Sequence, residues 1–103
     1  MYATIVDEIY RNAKIPAFNI QIPLDEFAKA IAGMPLLFSP GTKWNYGHST
    51  DILGRVIEVI SGQPLDIFLK KEVFDPLGMV DTGFHVPQEN QDRFAANYLH
   101  SNR

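Results

Sequence analysis

Hydrophobic and polar positions along the chain fall into four stretches of helical period, separated by prolines and glycines. Over 2–14, Tyr2, Ile5, Val6, Ile9, Tyr10 and Ala13 recur at i, i+3, i+4, i+7, i+8 and i+11, with Asp7, Glu8, Arg11 and Asn12 opposite. That spacing predicts an amphipathic helix. Its acids come early and Lys14 late, as the helix dipole favours, and Pro16 stops it. After a loop over 15–23, a shorter helix is predicted over 24–32, with Phe27, Ala28 and Ile31 inward. Gly33 is placed as its left-handed cap, and Pro35 forbids continuation.

The strongest period runs over 49–61. Ile52, Leu53, Val56, Ile57, Val59 and Ile60 make a wide apolar face, while Asp51, Arg55 and Glu58 stand at ion-pair spacings on the other. Such pairs contribute only about 0.2–0.5 kcal/mol each, so burial of the apolar face is expected to supply most of the stability. Gly54 sits mid-helix at a cost of roughly 1 kcal/mol relative to alanine, which close approach of another backbone would offset. Gly62 caps this helix. Pro64 opens a fourth, expected to reach Val73 and to end at Asp75-Pro76-Leu77-Gly78. Beyond Met79 the pattern weakens, leaving 82–86 and 94–99 as short strand candidates. The expected fold class is mainly α, with about four helices and one or two short strands near the C-terminus.

Residues 34–48 interrupt this pattern. Met34, Leu36, Leu37, Phe38, Trp44 and Tyr46 stand among Pro35, Pro40, Gly41 and Gly47, an apolar composition typical of a loop that packs on something or lines a site. Within it Ser39-Pro40-Gly41-Thr42 has proline second and glycine third, the signature of a tight turn.

Composition narrows the function classes. The 103 residues carry 9 Lys+Arg against 12 Asp+Glu, a net charge of −3, and the basic residues never run beyond the Lys70-Lys71 pair. That argues against nucleic acid as a partner. No apolar run approaches the roughly 18 residues of a membrane span. With no cysteine, disulfides, thiolate metal sites and a cysteine nucleophile are all excluded. The compartment is left undetermined.

Candidate chemistry is sparse. His48, His85 and His100 are far apart, and none is spaced with a second ligand on a predicted helix, so no metal or other cofactor is expected. The glycines are scattered singly and form no phosphate loop. Of Ser39, Ser49, Ser61 and Ser101, none stands in G-x-S-x-G or starts S-x-x-K. Tyr46 lies in Trp44-Asn45-Tyr46-Gly47-His48-Ser49, between a Pro-Gly turn and the strongest helix. A tyrosine at such a junction acts as a general base where nearby cations lower its pKa from about 10. Otherwise it is an aromatic that plugs the loop onto the helix. Composition and spacing leave both roles open.

The block from Phe38 to Phe84 resembles the serine β-lactamase-like hydrolases: class C β-lactamases, penicillin-binding carboxypeptidases and related esterases. The resemblance is carried by 38–46 (Phe-Ser-Pro-Gly-Thr-Lys-Trp-Asn-Tyr), by 51–62 (Asp-Ile-Leu-Gly-Arg-Val-Ile-Glu-Val-Ile-Ser-Gly), and by Pro76-Leu77-Gly78-Met79 with Asp81, Thr82 and Phe84. In that family the nucleophile is the serine of S-x-x-K, a Y-x-N tyrosine supports proton transfer, and a K-T-G or H-x-G strand helps bind substrate. The resemblance implies a catalytic, general-base-like role for Tyr46. It also places His48, a candidate substrate-binding residue, where the family has asparagine, which moves the expected substrate from a penicillin-type amide toward an ester.

Neither S-x-x-K nor a K-T-G-like strand occurs in these 103 residues. The expectation is a single partial domain over 1–103, the helical part of such a hydrolase, inactive alone. Without a partner domain, faces around Trp44, Phe74, Leu77, Met79 and Phe84 would be exposed, so self-association is expected. Alternatives are a complementary chain that supplies the serine, or a stand-alone helical oligomerisation or binding module of hydrolase ancestry.

Overall fold

The computed structural model of the chain describes residues 5–15 and 22–98. These residues are mainly helical. In order they form α1 (Ile5–Asn12), α2 (Leu24–Ala32), α3 (Ser49–Ser61) and α4 (Leu65–Leu69), then a π-helical turn (Lys70–Phe74) and a 3₁₀ helix (Gln88–Arg93). The chain divides into two compact units, Met1–Leu65 and Asp66–Arg103.

In the first unit, α1 ends in a paired-bond cap. Ile15 N–H donates to Tyr10 O (3.1 Å) and Lys14 N–H to Arg11 O (3.0 Å), with Lys14 at φ 56°. This is the Schellman arrangement, with lysine in the left-handed position that usually falls to glycine. Residues 2–4 of the predicted helix lie outside the described residues. Helix α2 has the bounds its punctuation predicts, because Pro23 pre-sets the entry and Pro35 prevents extension. Gly33, expected to be left-handed, instead has φ −82°. The chain leaves α2 through a tight turn, Met34 N–H to Ile31 O, that needs no positive φ.

Helix α3 also has its predicted bounds, and Gly62 closes it at φ 68° with its N–H on Glu58 O (2.9 Å). Its orientation corrects the sequence reading. The apolar stripe was expected to supply the burial, yet Leu53, Val56, Val59 and Ile60 are all exposed, Ile60 by 80%. Gly54 is buried, and Glu58 is only 15% exposed in its side chain. α3 packs on α2 through the Gly54 side, and no part of the described chain covers the stripe opposite. Glu58 accepts from Arg55 (2.9 Å) and from the Leu65 backbone N–H (3.0 Å), so one carboxylate satisfies a donor at the start of α4.

Phe27, 1% exposed, is the sole buried hydrophobic side chain among the described residues. Fully burying one such side chain contributes roughly 1.5–3 kcal/mol, comparable to the cost of fixing about two residues of backbone.

The contact at Gly54 yields a graded expectation. A Cβ there would lie 2.7 Å from Leu65 Cδ2 and 3.4 Å from Leu24 Cδ2. The Leu65 methyl ends a flexible side chain, so Gly54→Ala requires one rotamer to yield and gains about 1 kcal/mol of helix propensity, for a net effect near zero. Gly54→Val adds bulk against both leucines and is expected to cost about 1–3 kcal/mol in urea melts.

In the second unit, the fourth predicted helix is split. It is α-helical only over Leu65–Leu69 and widens into a π turn over Lys70–Phe74, where Asp75 N–H reaches back five residues to Lys70 O (2.9 Å). Gly78, at φ 65°, closes it with a second Schellman pair: Met79 N–H to Phe74 O (2.8 Å) and Gly78 N–H to Asp75 O (3.1 Å). Neither expected strand is present among the described residues. Residues 83–85 are bends flanked by irregular backbone at 82 and 86, and 94–98 are irregular. A strand needs a ladder partner, and no described segment is extended alongside either.

Arg93 grips Asp81 with both guanidinium nitrogens, one bond at 3.1 Å, and ties the 3₁₀ helix to the preceding turn. This fork holds the Asp81 carboxyl below its ordinary pKa. A lowered folded-state pKa means that the pair contributes above the ordinary carboxylate range and is lost as pH falls through the depressed value. In an NMR titration Asp81 is expected to protonate below free aspartate, and Arg93→Gln to return it upward. Helix signals of the first unit should not move.

Candidate active site

The loop preceding α3 is built on the predicted turn. Thr42 N–H donates to Ser39 O (3.2 Å), Thr42 Oγ1 donates to the same oxygen (2.6 Å), and Gly41 has φ 80°. Proline second and left-handed glycine third make this a type II turn. Lys43 Nζ then sits 5.9 Å from the Phe38 ring centroid, a cation–π contact that closes the loop on itself.

Trp44 and Tyr46 point outward, Tyr46 76% exposed. The phenol therefore does not plug the loop onto the helix within this unit, the role the sequence had left open beside that of a base. Asn45 Nδ2 donates to Tyr46 O (3.1 Å). Two residues on, His48 turns inward. Its ring lies 5.1 Å, edge to face, from Phe27 of α2, and stacks within 5° of the Tyr10 ring of α1 at 6.4 Å. Its Nδ1 is 3.2 Å from Asp51 Oδ2 in the first turn of α3. Tyr46 and His48, paired by sequence as site residues, thus adjoin along the chain but differ sharply in exposure. The Tyr10, Phe27 and Asp51 contacts were not foreseen from sequence. The one legible signal was the His48-x-x-Asp51 spacing across a helix start.

Ser61 Oγ accepts from Gln63 N–H (3.2 Å) in the turn after α3, and Ser49 is its first residue. Among the described residues no three His, Asp or Glu side chains cluster as metal ligands, and no helix is long and apolar enough to cross a membrane. His85 is exposed in the second unit, and His100 lies outside the described residues. That unit also has an open groove of about 620 Å³, its apolar wall including Ile67, Phe74, Met79, Phe84 and Phe94.

The sequence pattern of the Beta-lactamase family matches residues 3–103. The chain belongs to the β-lactamase family. It is 43% identical over 75 residues to esterase EstB of Burkholderia gladioli, an alignment covering 73% of this chain and 19% of that protein. Lovastatin esterase of Penicillium rubens is 49% identical over 51 residues, half of this chain and 13% of the relative. The putative penicillin-binding protein PbpX of Bacillus subtilis is 31% identical over 81 residues, 78% of this chain and 20% of the relative. The matched segment spans 13% to 20% of the length of these relatives. The hydrolase resemblance read from Phe38–Phe84 is therefore correct at the family level.

Proposed function

We propose that the chain is the helical portion of an acyl-serine hydrolase acting on esters, and that Tyr46 handles the proton of the reaction. The observation that carries this reading is the exposed phenol of Tyr46 on a turn-anchored loop directly before α3. Two esterases stand among the relatives, which supports an ester substrate over a lactam. The nucleophile and its lysine would come from a polypeptide region bearing S-x-x-K, a motif these 103 residues do not contain. Such a region would also cover the apolar stripe of α3. A tyrosine poised to move a proton does nothing without the hydroxyl that gives it up, so the chain by itself is inactive.

Two measurements test this. The 103-residue chain alone is expected to give no turnover of a short-chain p-nitrophenyl ester and no mass adduct with a serine-directed fluorophosphonate. Grafted in place of the matching segment of EstB, it is expected to support ester hydrolysis, which Tyr46→Phe lowers by about 10²–10⁴-fold. A serine adduct on the isolated chain, or a graft indifferent to Tyr46→Phe, would overturn the assignment.

A further inference from the structure

We infer that His48 is a positioning residue, which fixes the loop bearing Tyr46 by packing its imidazole into the helices and does not itself meet substrate. The inference deepens the reading of Tyr46 as the proton-handling group and rests on it.

Three contacts from three helices define the ring. Tyr10 of α1 stacks on its face, Phe27 of α2 meets it at 78°, and Asp51 of α3 takes its Nδ1 side. Only 24% of the side chain is exposed. Phe27 is itself buried, so the ring leans on the best-packed point of the unit. Its backbone is equally committed, because His48 O accepts the Ile52 N–H (3.0 Å) that starts the α3 ladder. His48 is thus where the loop becomes helix, held by both main chain and side chain. Tyr46 stands two residues upstream on irregular backbone, its carbonyl held by Asn45. With so little local bonding, the position of the phenol depends on where the chain is pinned next, and the next pin is His48.

The chemistry of the pair fixes a tautomer. A carboxylate only accepts, so the hydrogen between His48 Nδ1 and Asp51 Oδ2 belongs to the imidazole, and the neutral ring carries it on Nδ1. That is the less common form for a free histidine, and it gives the contact a spectroscopic signature.

The test is long-range ¹H–¹⁵N imidazole spectroscopy on the 103-residue chain, with the aromatic ¹H–¹³C signals of Tyr46 followed in three variants. His48 is expected in the Nδ1–H form, and exposed His85 in the form typical of free histidine. Asp51→Ala, at a half-exposed position, should abolish the Nδ1–H preference and shift the Tyr46 ring signals while the Phe27 signals stay in place. His48→Ala should bring Tyr46 to random-coil shifts, and His48→Phe, which keeps a ring, should largely restore them. Should His48→Ala not fold, the Asp51→Ala arm still decides. An Nε2–H form of His48 in the parent chain, or Tyr46 signals unmoved by Asp51→Ala and His48→Ala, would overturn the inference. Failure of the ester reading would appear in the graft experiment and leave these spectra unchanged.

Discussion

Replacing Phe27 by alanine is expected to cost about 3–5 kcal/mol and to erase most of the helical circular dichroism of the first unit. The size of the effect follows from the scarcity of alternatives. Phe27 is the sole buried hydrophobic side chain among the described residues, and it carries the edge-to-face contact with His48 that links α2 to the start of α3. Its loss therefore removes its own transfer energy and the support of the imidazole together. Domains with many buried residues redistribute such a loss by local collapse, but here there is little to collapse onto. Phe27→Leu, which keeps most of the volume, should cost under about 1.5 kcal/mol. A Phe27→Ala chain with an unchanged urea midpoint would mean that the helices are held by something other than this contact.

The second large effect concerns association. The free chain is expected to sediment as dimers or larger species as its concentration rises, through the stripe of Leu53, Val56 and Ile60 on α3. These three stand at i, i+3 and i+7, so they form one continuous strip, and each is about half exposed or more. Full burial of such a side chain contributes roughly 1.5–3 kcal/mol, so covering the remaining half of each is worth about 1 kcal/mol. Val56→Lys with Ile60→Lys removes two of them and sets like charges face to face. Association should weaken at least tenfold, the equivalent of about 1.4 kcal/mol. Glu58 and Gly54 lie on the opposite side of α3, so helix content should be preserved. A parent chain that stays monomeric at every concentration would remove the case for this stripe as a contact surface.

Much of the fold was legible, for reasons that differ by element. The bounds of α2 and α3 follow from Pro23, Pro35 and Gly62, whose backbone restrictions act whatever the surroundings. The family was legible from the block between Phe38 and Phe84. The direction in which α3 buries itself was not, because periodicity identifies an apolar face without saying what covers it. Gly54 gave the better clue: a helix glycine admits a neighbour, and Leu65 and Leu24 approach there. The strand expectation at 82–86 failed because β-branched and aromatic composition means little without a pairing partner. For Tyr46 the motif located the residue, whereas its exposure and the inward turn of His48 emerge only from the packing of Tyr10, Phe27 and Asp51.

The π turn at Lys70–Phe74 also bears on how this segment varies over evolutionary time. A π turn holds one residue more than the α-helical turn it interrupts, and excising one residue lets ordinary i→i−4 bonding run through. It therefore marks the point of least resistance to single-residue insertion and deletion, where relatives can differ in length by one without a broken helix. The Gly78 cap would survive either event, since its bonds reach back only to Asp75 and Phe74.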